Sequence, residues 1–159
     1  MKKIIIIRHA KSSNPINISD FDRPLHKDGQ EGLKKISLKL NQLEIQPDLF
    51  IHSPAKRAKN SATIVAESLN FKGEMRIESD IYYGDAKDLL SILKSVSNSM
   101  QTVVLVGHNP SLEEFCTLIC DSKSFYVEMR TSTAVCFSFA SNWDELTYHS
   151  AHFEWILNS

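Results

Sequence analysis

Lys2-Lys3-Ile4-Ile5-Ile6-Ile7-Arg8-His9 is the stretch that decides the fold. Four consecutive β-branched isoleucines are too few for a helix. They read as a strand over 2–7 that is buried on both faces, as in a parallel sheet. Two strongly hydrogen-bonding side chains then close that strand. In open α/β sheets the ligand crevice lies just beyond the carboxyl ends of the strands. Arg8 and His9 are therefore expected to point into a site, where an arginine can hold an anion and a histidine can attack it.

The bulk composition narrows the classes. A chain of 159 residues suits a single domain over 1–159, large enough to bury roughly two thirds of its unfolded surface. Apolar content of 42% and charged content of 23% are those of a soluble globular protein. A formal net charge of -1 supplies no global field for nucleic acid or an acidic membrane, so an anion site must be local. No apolar stretch approaches the ~20 residues of a membrane span. Met-Lys-Lys before the isoleucines imitates a signal peptide, but Arg8-His9 cuts the apolar run short. Cys116, Cys120 and Cys136, an odd number in apolar surroundings, suit a reduced cytoplasmic protein rather than a disulfide framework.

Outward from the first strand, strand and helix patterns alternate. A polar loop from Ser12 to Lys27 carries Asn14-Pro15 and Arg23-Pro24. Asp28, with Glu31 three residues on, opens a helix whose apolar stripe is Leu33, Ile36, Leu40 and Leu43. Leu49-Phe50-Ile51 is a second short strand, and Ser53-Pro54 reads as N-cap and first position of the next helix. A weaker strand around 75–78 leads through Gly84-Asp85 to a helix with Leu89, Leu93 and Val96 inward. Thr102 to Val106 is the clearest later strand, and Asn109-Pro110 repeats the cap signal for a helix using Leu112, Phe115, Cys116 and Ile119. Strand-like segments at 135–139 and around 153–157 complete the chain. This punctuation predicts a three-layer α/β/α domain, a mostly parallel central sheet with helices on both faces.

What stands at the strand ends is the functional signal. The first gives Arg8-His9, the second Ser53-Pro54-Ala55-Lys56-Arg57, and the third strong strand Gly107-His108. Parallel strands of one sheet deliver their carboxyl ends to one edge, so these loops should converge. Two guanidinium forks, two imidazoles and two helix N-termini would then surround one small volume, which suits a dianionic phosphoryl group. Two of the four side chains being guanidinium, no metal site is expected there.

Arg8-His9-Ala10-Lys11-Ser12 resembles the Arg-His-Gly motif of the histidine phosphatase superfamily, the phosphoglycerate-mutase-like fold. Ser53 to Ala58 with Ser61-Ala62 resembles its second-arginine helix, and Gly107-His108-Asn109-Pro110 its second-histidine motif. The short length, the Asp20-Phe21-Asp22-Arg23-Pro24-Leu25 segment followed by Gly29, and Trp143 to Leu146 are similar to the SixA-type phosphohistidine phosphatases. The resemblance implies that His9 is the nucleophile and becomes a phosphohistidine. Arg8, Arg57 and His108 would hold the equatorial oxygens in the transition state. Arg23 would be a further anion contact, with Ser12 and the Asn109 backbone N–H as additional donors. No cofactor is implied.

Two departures stand out. Ala10 replaces the usual glycine. Larger relatives also carry a carboxylic acid that protonates the leaving oxygen, for which this chain offers Glu78, Asp80 and Asp85. Asp85 is the choice for general acid, and it also fits an N-cap before Ala86. An absent acid would fit imidazole as leaving group. His149 and His152 have metal-like spacing only on a helix, and their surroundings read as strand. The leading expectation is a phosphatase acting on a phosphohistidine-bearing protein. The alternatives are a phosphatase of a small phosphorylated metabolite and a non-catalytic phosphoprotein-binding module.

Overall fold

A computed structural model describes residues 1–159. The isoleucine run forms β1 (Lys2–Arg8), which sits inside a six-stranded sheet. Its companions are β2 (Leu49–His52), β3 (Glu74–Ile77), β4 (Thr102–Gly107), β5 (Ala134–Phe139) and β6 (His152–Leu157), in the order β3-β2-β4-β1-β5-β6. The first four run parallel, whereas β5 and β6 are antiparallel additions on one side.

Side chains alternate across a strand, so the four isoleucines divide between two cores. Ile5 and Ile7 pack with Leu33, Ile36 and Leu40 of α1 (Lys27–Gln42) and with Ala58, Ala62 and Val65 of α2 (Lys56–Ser68). Ile4 and Ile6 face the opposite layer, built from α4 (Ala86–Lys94) and α5 (Ser111–Ile119) with the buried Trp143. A one-turn helix α3 (Asp80–Tyr83) precedes α4. All four isoleucines are fully buried, each worth roughly 1.5–3 kcal/mol of transfer free energy. The architecture is therefore the three-layer one expected, with helices on both faces of a mostly parallel sheet.

Helix starts differ from the sequence reading, each for a local reason. α1 is capped by His26, whose Nδ1 accepts from the Asp28 N–H at 3.0 Å, while Glu31 pairs with Lys34. α2 begins three residues after Ser53, whose hydroxyl is turned toward His108 at 2.7 Å. α5 begins at Ser111, because the Asn109 amide is drawn to Glu113 and the Met129 carbonyl, each at 2.9 Å. In each case a polar side chain that could have capped a helix has another task.

Candidate active site

The sheet register brings the sequence-predicted residues together. Arg8 on β1 lies opposite Gly107 on β4, and His52 on β2 lies opposite Val106. The three strand ends that carry Arg8-His9, Ser53 and His108 are thus adjacent. The His9 N–H donates to the Gly107 carbonyl at 3.0 Å, and the His9 and His108 rings lie with centroids 5.1 Å apart. A pocket of about 370 Å³ opens there, lined by Arg8, His9, Lys11, Ser12, Arg23, Arg57, His108, Asn109 and Thr131, with no hydrophobic side chain. Lys11 and Thr131 are additions to the expected set.

The His9 ring is fixed by one backbone contact. Its Nδ1 lies 2.8 Å from the Ala10 carbonyl, which can only accept, so Nδ1 carries the proton. The other ring nitrogen, Nε2, is left with its lone pair. Burial pushes the His9 pKa down to about 4, and the Arg57, Arg8 and Arg23 charges push the same way against the Ala10 hydrogen bond. His108 falls to about 3, mainly through burial and then through His9 and Arg57. Both imidazoles are neutral at neutral pH.

Backbone and hydroxyl contacts hold these rings and the helix behind them. Ser61 Oγ accepts from the Ala10 N–H at 3.0 Å and donates to the Arg57 carbonyl at 2.6 Å, tying the end of β1 to α2. Ser53 Oγ accepts from the Ala55 N–H at 3.2 Å and meets His108 Nε2 at 2.7 Å. The methyl of Ala10 packs in the α1/α2 core, fully buried, and does not line the pocket. The glycine-to-alanine departure therefore leaves the anion's approach open.

The guanidinium groups are fixed by different partners. Arg8 Nη1 donates to the Met129 carbonyl at 3.0 Å, and Glu113 Oε1 accepts from the Met129 N–H at 2.7 Å. Arg23 donates through Nε to the Ser13 carbonyl at 3.1 Å and through Nη2 to Ser12 Oγ at 2.8 Å. Arg57 donates to the Asp20 carbonyl at 2.7 Å and to Asp20 Oδ2 at 3.1 Å. Of the five buried side-chain polar atoms without a protein partner, four belong to pocket residues: Arg8 Nε, Arg57 Nε, His108 Nδ1 and Asn109 Oδ1. These atoms are open to hydrogen bonds from a molecule in the pocket.

The expected acid does not join this group. The Asp85 carboxylate accepts from the Lys87 and Asp88 N–H groups, and Asp88 returns a bond to the Asp85 N–H at 2.9 Å. It is a capping box at the start of α4 and does not line the pocket. Neither Glu78 nor Asp80 lines it. Asp20, Tyr82, Ser53, Ser61 and Glu113 are the neighbouring residues that sequence reasoning missed or read as caps. Asp20, Ser53 and Ser61 lay within quoted motif segments without a role of this kind, and nothing in the sequence pointed to Tyr82 or Glu113. His149 contacts the Cys120 carbonyl and His152 pairs with Asp121, both away from the pocket. No group of three or more His, Cys, Asp or Glu side chains could hold a metal ion, and no helix is long and apolar enough to cross a membrane.

An imidazole lone pair beside guanidinium forks, in a polar open cleft, can accept a phosphoryl group while its oxygens are held. Comparisons with known proteins bear on the fold and the family. The chain is similar to the structure of the protein histidine phosphatase SixA with tungstate, at 18% identity and TM-score 0.85 over 98% of this chain and 96% of that one. It is also similar to the Agrobacterium tumefaciens structure described as phosphohistidine phosphatase SixA, at 20% identity and TM-score 0.84 over 99% and 98%. A chloroplastic protein of Arabidopsis thaliana with no described function is 24% identical, covering 91% of this chain and 70% of the relative. The structures establish the fold. The family model of the histidine phosphatase superfamily (branch 1) matches residues 4–92, a span holding Arg8, His9 and Arg57. Because that model spans more than half of its length, the chain belongs to the histidine phosphatase superfamily.

Proposed function

We propose that this phosphatase removes phosphoryl groups from phosphohistidine carried by a protein. The observation that supports this reading is the lining of the pocket, which contains arginine, lysine, histidine, serine, threonine and asparagine but no carboxyl group. An alkoxide leaving group needs a proton at that place, and the site offers no acid near neutral pH. A phosphohistidine protonated on its other ring nitrogen leaves as neutral imidazole without one.

His9 Nε2 attacks phosphorus, the P–N bond to the substrate imidazole breaks, and a P–N bond to His9 forms. Arg8, Arg57 and His108 hold the equatorial oxygens, with Arg23, Ser12 and the Asn109 N–H at the rim. As charge builds on the His9 ring, the Ala10 carbonyl stabilises its Nδ1–H. Water then attacks phosphorus, phosphate departs, and His9 is regenerated. The pocket is open and polar, which suits a group presented on another protein's surface better than an enclosed metabolite.

The test is a comparison of kcat/KM for a phosphohistidine protein, a phosphoserine peptide, para-nitrophenyl phosphate and a sugar phosphate. A preference for the phosphohistidine protein of at least about a hundredfold over the phosphoserine peptide is expected, since one absent proton donor is worth roughly 10²–10⁴. A sugar phosphate turned over faster than the phosphohistidine protein would refute the proposal.

A further inference from the structure

The loop between β1 and α1 has no core of its own: no residue from Lys11 to Asp28 is buried. Its stem is closed by backbone and arginine contacts. Ser12 bridges to Leu25, the Ser13 N–H donates to the Pro24 carbonyl at 2.8 Å, and Arg23 reaches back to Ser12 and Ser13. The tip is held differently. Asp20 gives both its carbonyl and its carboxylate to Arg57, takes the Tyr82 hydroxyl at 2.6 Å on Oδ2, and pairs through Oδ1 with Arg23 at 3.2 Å. Phe21 adds an edge-on contact to the Tyr82 ring at 5.3 Å. One residue thus joins two phosphate-site arginines from different elements.

The partners are unequally exposed. The Arg57 side chain is 8% exposed and that of Asp20 is 54%. A buried guanidinium gains most from a partner that fixes its plane, because a planar fork then meets an anion without a further search of rotamers. We propose that Asp20 is a positioning residue for the phosphoryl site: it orients Arg57, and it pins Arg23 and the loop tip in the same stroke. The inference rests on the assignment of this cleft as the phosphoryl site but not on the identity of the leaving group. The Tyr82 hydroxyl and the arginines hold the Asp20 carboxyl down to about 2, so it stays ionised and acts by charge and geometry rather than as a proton donor.

Binding of inorganic phosphate to the intact protein, followed by calorimetry or phosphorus NMR, tests this in wild type, Asp20→Ala, Asp20→Asn, Arg57→Ala and the Asp20→Ala/Arg57→Ala double variant. Asp20→Ala should weaken phosphate about tenfold, the scale of one charge-assisted contact. KM for para-nitrophenyl phosphate should rise in parallel and kcat should fall less. Asp20→Asn, which keeps an oxygen acceptor, should recover part of the loss. In the Arg57→Ala background, Asp20→Ala should cost clearly less than in wild type, since only its hold on Arg23 and the loop tip remains. Phosphate affinity unchanged or tighter in Asp20→Ala, or an equal loss in both backgrounds, overturns the proposal. Should Asp20→Ala not fold, Asp20→Asn carries the same comparison, with a smaller loss expected in wild type and a smaller one still beside Arg57→Ala. Because phosphate alone is the probe, a negative result here is distinguishable from a failure of the phosphohistidine assignment.

Discussion

Acid pH is a clean perturbation of the proposed nucleophile. Burial and three nearby arginines disfavour the imidazolium of His9 and lower its pKa from 6.5 to about 4. The reactive form is the neutral ring, so activity tied to His9 is present above that value and lost as pH falls through it. At pH 5 an ordinary histidine would be neutral in about 3% of molecules, whereas one titrating near 4 is neutral in about 90%, roughly a thirtyfold difference. The assay is kcat/KM from pH 3.5 to 8, which reports the free enzyme, on a substrate whose own ionisation is measured separately and divided out. A residual limb near pH 4 is expected. Arg57→Ala should move it upward only slightly, because burial is the larger cause. A residual limb centred between pH 6 and 7 would refute the reasoning and place His9 in a solvated environment.

Further predictions follow from particular contacts. His9→Ala should abolish covalent labelling by phosphorylated substrate while phosphate binding persists, and Arg57→Ala should lower kcat by roughly 10²–10³, as loss of one transition-state donor does; a labelled His9→Ala protein would move the nucleophile elsewhere. Asp85→Ala should cost about 1 kcal/mol in chemical unfolding, as an N-cap does, whereas Asp85→Asn should leave turnover of phosphohistidine and alkyl phosphate within about twofold. A hundredfold loss on the alkyl phosphate alone would restore Asp85 as general acid. Turnover should survive exhaustive chelation, since guanidinium and imidazole supply the charge stabilisation, and activity regained only with added magnesium or zinc would contradict that. Gly29→Ala would place a Cβ 2.3 Å from the Lys11 carbonyl oxygen, so it should lower stability by about 1–3 kcal/mol. An unchanged melting temperature would mean that α1 can slide off the Lys11 backbone.

The central sheet was legible because β1, β2 and β4 are short apolar runs bounded by polar residues. Their parallel order puts Arg8-His9, Ser53 and His108 at one edge whatever the details of the helices between them. Helix starts were less legible, since Ser53 and Asn109 have the chemistry of caps but spend it on His108 and on the loop around Met129. Asp85 shows the reverse: a side chain with the chemistry of an acid is consumed as a cap. Asp20 could not be placed from sequence, because its partners lie 37 and 62 residues away, on α2 and α3. No periodicity encodes such a meeting. The Asp20-to-Leu25 segment drew attention to the loop, but its Arg-Pro-Leu pattern gave a role to Arg23 alone and none to the carboxylate three residues before it.

The position of β1 between β4 and β5 bears on how the chain is made. Ile4–Ile7 are translated well before the strands that flank β1, which begin at Thr102 and Ala134. Until those strands emerge, four consecutive isoleucines stand unpaired, the kind of β-prone, uncharged segment that seeds aggregation. Lys2, Lys3 and Arg8 flank the run as charged gatekeepers, and in the finished protein Lys2 Nζ donates to the carbonyls of Asn98 and Met100 in the loop before β4. A neutral replacement at the exposed Lys3 should therefore reduce the soluble yield from cells more than it changes the unfolding free energy of the purified protein, whereas one at Lys2 also removes two hydrogen bonds of the folded state. The strand that leads into His9 is thus the one most exposed to aggregation before the sheet closes around it.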